Sequence, residues 1–279
     1  MMVQIRSALT TDDCTQALTL STQLYNSQYS DDDVRMLYAS AQACNVGIQL
    51  YTLIANIGSS DFSSAGSTFR VFVKLFPSTV SDSRLQSTWF AEDALQAILN
   101  QGAVVAPADL TYSTSFNPGS TVTTDRTADA NIYMAFISMS ILGTTLNRYG
   151  YNVTDNPAAL GYHPTVALPW TTLAAVQSDT TGAACALASG MLNFVDSVGA
   201  LVNAVTGTTS SSLNQAISYF TTALSDTPLS IACNATDGIP TAQCVTGADR
   251  LRFRGACTEQ AASASVAALV IKAIVTGWN

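Results

Sequence analysis

The sequence predicts an all-α protein: an irregular helical bundle, or stacked antiparallel helical hairpins, with one long mid-chain loop. Three observations point there. Apolar residues recur at helical spacing in most segments between turn signals. Aspartate supplies 17 of the 19 acidic residues, and aspartate favours helix starts and solvated turns over helix interiors. Strand-like alternation is weak and confined to Leu110–Thr124. The 279 residues suit one large domain or two ordinary ones. A 48% hydrophobic content with 16 glycines and 8 prolines excludes a disordered or collagen-like chain.

The first predicted helix carries Cys14, Ala17, Leu18, Ser21, Leu24 and Tyr25 on one face. The next carries Val34, Leu37, Tyr38, Ala41, Cys44, Ile48 and Tyr51. Between them Ser30 or one of Asp31–Asp33 is placed to cap the second helix, where negative charge suits the N-terminal dipole. The two form an antiparallel hairpin whose turn is centred near Ser27–Ser30. Cys14 and Cys44 lie about equally far from that turn and both belong to the inner stripes. They are predicted to form a disulfide.

A stripe of Phe69, Phe72, Val73 and Phe76 ends at Pro77, and one of Phe90, Ala94, Ala97 and Ile98 ends near Gly102. Residues 103–125 have no period and contain Pro107, Pro118 and Gly119, so they read as a loop and a boundary. This divides the chain into 1–102, N-terminal helical hairpins, and 126–279, a C-terminal helical bundle, unless the two form one continuous domain. Asp125 or Thr127 opens a helix bearing Ile132, Ala135, Phe136, Met139 and Leu142, which fades at Gly150. Tyr151–Trp170, with three prolines, is irregular. Stripes then follow at Phe194–Val205, Leu213–Leu224 and Val266–Ala273. A helix as poor in charge as these should be central, or should show water a face of serine, threonine and asparagine.

Charge and cysteine content narrow the function. The net charge is −8 with only two lysines, too few cations to displace counterions from nucleic acid or to hold an anionic membrane. The opening residues lack the apolar core of a signal peptide, and no apolar run is long enough to span a bilayer. The six cysteines, Cys14, Cys44, Cys185, Cys233, Cys244 and Cys257, contain no C-x-x-C pair, and His163 is the sole histidine, so a zinc site is poorly supported. An even cysteine count with 30 serines and 34 threonines fits an exported, disulfide-containing protein whose leader has been removed. Beyond Cys14–Cys44, four cysteines allow three pairings. Cys233–Cys244 would close a short turn-rich loop and leave Cys185–Cys257.

Residues Asp13–Ile57 resemble a tetratricopeptide-repeat hairpin, through Ala17 and Leu24 in one helix and Leu37, Tyr38, Ala41 and Gly47 around the next. The resemblance covers about a sixth of the chain. It implies a surface that presents a groove to protein partners. The family's closing proline is absent, and no further repeat follows.

No nucleophile elbow, P-loop or zinc-protease motif occurs. No catalytic, cofactor or metal residue is therefore assigned. His163, directly before Pro164, reads as an ordinary loop histidine. Asp31–Asp33 lacks the ligand spacing of a calcium loop and reads as a helix start. Asp125 and Asp129 share a helix face, with capping the simpler role. Arg250, Arg252 and Arg254 are candidates for docking an anion or an acidic partner, against the alternative of pairing with the chain's own aspartates. Two glycosylation sequons, at Asn152 and Asn234, are no more than a threonine-rich chain gives by chance.

The resulting expectation is an exported, non-enzymatic binding or scaffold protein acting on another envelope protein. Its expected place is the bacterial periplasm or the outer membrane, with a lipid anchor on a removed N-terminus as one route. A structural subunit of a homo-oligomeric surface assembly is the alternative. A small-ligand binder or enzyme with an unrecognised site is the third reading.

Overall fold

The computed structural model describes residues 1–29, 31–48, 81–99, 124–150, 167–205, 251–259 and 261–277. Among these the protein is all-α, with no strand. The helices are α1 (Met2–Thr10), α2 (Cys14–Gln28), α3 (Asp32–Asn45), α4 (Asp82–Leu99), α5 (Thr124–Tyr149), α6 (Leu173–Gln177), α7 (Ala183–Val205), α8 (Arg254–Glu259) and α9 (Ala261–Gly277). The predicted stripes at Phe69–Phe76 and Leu213–Leu224, and most of the predicted loop 103–125, lie outside the described residues.

Local chemistry explains the N-terminal elements. The Asp13 carboxylate accepts a hydrogen bond from the Gln16 amide at 3.0 Å and starts α2. Asp31 accepts from the amides of Asp33 and Val34 and starts α3, as the hairpin reading requires. Tyr25 and Tyr38 stack across the hairpin with ring centroids 4.3 Å apart. Cys14 and Cys44 are joined as a disulfide, their Cα atoms 5.3 Å apart. The equal-distance argument from the turn therefore places both cysteines correctly.

Three helices, α1, α6 and α8, were not anticipated. In α1, Ile5 and Ala8 are buried against the hairpin. At nine residues the helix is too short to be stable by propensity alone, and packing against α2 and α3 supplies the rest. The five-residue α6 is capped by Thr172, whose hydroxyl accepts from the Ala175 amide, and it packs on α9. The helix expected to begin at Asp125 or Thr127 begins at Thr124, so the last two positions of the predicted loop are helical.

α3 and α5 pack on α4, and α7 packs on α5 and α9. One continuous core joins residues from Ile5 in α1 to Ile274 in α9, across the boundary drawn in the sequence. α5 and α7 approach closely at Gly190. A Cβ added at Gly190 would lie 2.8 Å from Ile141 Cγ2 and 3.2 Å from Ile141 Cβ. Gly190→Ala is therefore expected to destabilise by about 1–3 kcal/mol, despite alanine's better helix propensity. Gly199 in the same helix has nothing within 4 Å of an added Cβ, so Gly199→Ala should be neutral or stabilising. Urea unfolding of both variants tests the contact, and equal midpoints would refute it.

Candidate functional site

Two features of the fold concentrate polar chemistry: a buried junction between α4 and α7, and an open groove between α1, α3 and α5.

The junction is built from polar residues on the inner faces of two otherwise apolar helices. On α4, Glu92 and Gln96 follow Leu85 and Trp89 along the buried face. On α7, Ser189, Asn193 and Ser197 recur at four-residue spacing and are each at most 1% exposed. The Glu92 carboxyl is fully buried. It accepts hydrogen bonds from Ser189 Oγ at 2.8 Å and from Asn193 Nδ2 at 2.7 Å. Asn193 Nδ2 also donates to the Arg252 carbonyl at 3.0 Å, and Asn193 Oδ1 accepts from Gln96 Nε2. One asparagine thus ties α4, α7 and the strand of chain entering α8, with both donors and its acceptor engaged.

Among the described residues no cation is bonded to the Glu92 carboxyl. The nearby Arg254 guanidinium is bonded instead to Asp93 at 2.8 Å, and it lies over the Trp89 and Phe90 rings with centroids 5.4 and 5.9 Å away. Burial raises the pKa of Glu92 to about 8, and the neighbouring Asp93 charge adds to the rise, against the hydrogen bonds from Asn193 and Ser189 and the field of Arg254. Burial likewise raises Asp93, opposed by Arg254. The indole Nε1 of Trp89 and Nε of Arg254 are buried donors without partners.

The groove has a volume of about 730 Å³. Its apolar wall is Leu9, Met36, Ile48 and Ile132. Two exposed carboxylates, Asp12 and Asp129, also line it, and among the described residues that line it none is basic. Asp12 adopts a left-handed backbone with φ 58°, a conformation aspartate and asparagine accept more readily than most residues. The Tyr133 phenol in the groove is hydrogen-bonded with Ser40, and burial pushes its pKa up to about 12. Cys44, half of the N-terminal disulfide, is part of the lining.

Of the three candidate docking arginines, two are engaged within the chain. Arg252 forms an ion pair with Asp196, and Arg254 one with Asp93. Arg250 lies outside the described residues, as do His163 and both sequons. Asp31 is a helix cap, and Asp32 pairs with the buried Arg35 at 2.7 Å. Asp129 lines the groove, so its placement goes beyond the capping role read from sequence. The structure joins Cys185 to Cys257, with Cα atoms 5.6 Å apart, while Cys233 and Cys244 lie outside the described residues. Among the described residues no cluster of histidine, cysteine and acids is suited to a metal, and no helix is long and apolar enough to cross a membrane.

Sequence reasoning missed Glu92, Gln96, Ser189 and Asn193. A signal was present: Glu92 is one of two glutamates in an aspartate-rich chain, and Ser189, Asn193 and Ser197 fall on the face that helical spacing marks as inner. Comparison with known protein families, with characterised proteins and with solved structures found no match.

Proposed function

We propose that the protein is an exported, non-enzymatic helical binding protein that docks a segment of another envelope protein in the groove between α1, α3 and α5. The observation that carries this reading is the composition of the groove: an apolar wall flanked by Asp12 and Asp129, with no base among the described lining residues. Its chemical complement is an apolar side chain beside a lysine or arginine. The chain's net charge of −8 would steer such a segment toward it. The N-terminal disulfide holds α2 against α3 and so fixes one wall of the groove before binding, which lowers the ordering cost. Two disulfides support an oxidising destination, for which the bacterial periplasm or outer-membrane surface is the proposed place.

A labelled amphipathic peptide of leucine and lysine tests the chemistry, with a leucine–glutamate peptide as its counterpart. The lysine peptide is expected to bind and the glutamate peptide not. The double variant Asp12→Asn with Asp129→Asn should weaken binding about tenfold, since asparagine keeps the Asp12 backbone while removing both charges. A control with the same charge change, Asp33→Asn with Asp82→Asn, should shift it about twofold at most. Equal losses in both doubles would reduce the effect to bulk charge and refute the groove. Concentration-dependent self-association abolished by Met36→Glu would replace the partner with a second copy of the chain.

A further inference from the structure

The groove accounts for neither the buried carboxyl of Glu92 nor the polar residues arranged around it. We propose that Glu92 is a proton-operated latch that closes the junction of α4, α7 and α8 when protonated and opens it when ionised. The latch is independent of the groove and of the reading attached to it.

The geometry supplies each part. Glu92 is fully buried, and its two oxygens are held by Ser189 and Asn193 of α7. Asn193 passes the connection to the Arg252 carbonyl at the start of the segment that becomes α8. A protonated carboxyl fits this setting, because one oxygen still accepts from Asn193 while its O–H donates to the Ser189 hydroxyl. An ionised carboxyl has two donors but no bonded cation, and in that state it draws water. Trp89 Nε1 and Arg254 Nε are buried donors on α4 and α8, the two elements that the junction joins.

The charged groups that act on Glu92 are Asp93 and Arg254, and the ion pairs further along the packed helices are committed as well. On α4, Asp93 is bonded to Arg254 of α8. From α2 and α3, the phenols of Tyr25 and Tyr38 face Asp93, and Arg35 is bonded to Asp32 and to the carbonyls of Tyr29 and Ala97. On α7, Asp196 is paired with Arg252. On α5, Arg148 is paired with Asp82 at the first turn of α4. Ionisation of Glu92 thus finds no uncommitted cation among these groups. The Cys185–Cys257 disulfide holds α8 to α7 throughout, so opening is a local release of residues 251–259 rather than unfolding.

Hydrogen exchange on the oxidised protein, at about pH 5.5 and about pH 9 and corrected for the intrinsic rate, tests the latch. In the wild type, protection of residues 251–259 should fall about tenfold or more between the two conditions. In Glu92→Gln, whose amide preserves both hydrogen bonds without titrating, it should change about twofold at most. Unchanged wild-type protection, or an equal fall in Glu92→Gln, would overturn the proposal. Infrared spectroscopy of the wild type gives a readout that does not depend on the variant folding. A protonated carboxyl band should persist near pH 6.5, where exposed carboxyls are ionised, and its absence there would also overturn the latch.

Discussion

Wild-type stability is expected to decline as pH rises from about 4.5 to about 8, and Glu92→Gln to remove most of that decline. The sign follows from proton uptake. The folded-state pKa of Glu92 is raised to about 8, from 4.5 for the exposed group. Between those values the folded chain holds a proton that the unfolded chain has released, so stability falls with rising pH. The contribution is fully present below the unfolded value and is gone above the folded one. Its size is on the order of 3–5 kcal/mol, a large share of the stability of an ordinary domain. Asp93, also raised, adds in the same direction. Glu92→Leu is expected to behave differently. It abolishes the titration but leaves Ser189 and one Asn193 donor without their acceptor, costing about 2 kcal/mol at low pH. Urea midpoints across this pH range for the three proteins provide the measurement. Parallel profiles for wild type and Glu92→Gln would show that the carboxyl is not the group responsible.

The second large effect concerns the disulfides. Removing Cys185–Cys257, by alanine at both positions, should cost about 4 kcal/mol. Removing Cys14–Cys44 should cost roughly half to one kcal/mol less. The difference follows from the separations they span, 72 residues against 30, because a longer closed loop removes more freedom from the unfolded chain. Cys44, Cys185 and Cys257 are buried and Cys14 is half-buried, so alanine avoids burying new hydroxyls. Denaturant unfolding of the two double variants and the wild type would show the order. A larger loss from the N-terminal pair would mean that native packing around α8, rather than chain entropy, sets the contribution of the longer bridge.

The hairpin of α2 and α3 was legible in the sequence because each of its determinants is local. Helical spacing marks the inner faces, aspartates start both helices, and the turn fixes the register. Cys14 and Cys44 then meet without reference to any other part of the chain. Cys185–Cys257 was reachable only as the remainder of another assumed pair, since no turn relates positions so far apart. The spacing of α5, α7 and α9 likewise announced helices, but not which of them would touch. The Gly190–Ile141 contact depends on the crossing of two helices, and no pattern within either one records it.

Charge shows the same division. Scarce lysine, 17 aspartates and the −8 balance speak against nucleic acid, and the acidic run narrowed the α3 cap to Ser30 or one of Asp31–Asp33, from which the structure selects Asp31. Composition alone did not decide between docking and internal pairing for the arginines. For Arg252 and Arg254 the internal pairs form where residues 251–259 fold against α4 and α7, bringing Arg254 to Asp93 and Arg252 to Asp196. Glu92 is the clearest case. In sequence it is one acid in an amphipathic helix. Its burial, its partners Ser189 and Asn193 nearly a hundred positions away, and hence its raised pKa, exist only once α4 and α7 pack. The groove also belongs to the tertiary structure, because Asp12 and Asp129 become neighbours of one cavity only when α1 and α5 come together around α3. The sequence by itself determined the helical class, the acidic start of α3 and the first disulfide, which depend on interactions between near neighbours. The tertiary structure decided the electrostatics and the candidate site, because desolvation and long-range pairing are properties of packed surfaces, and those surfaces form only when distant segments meet.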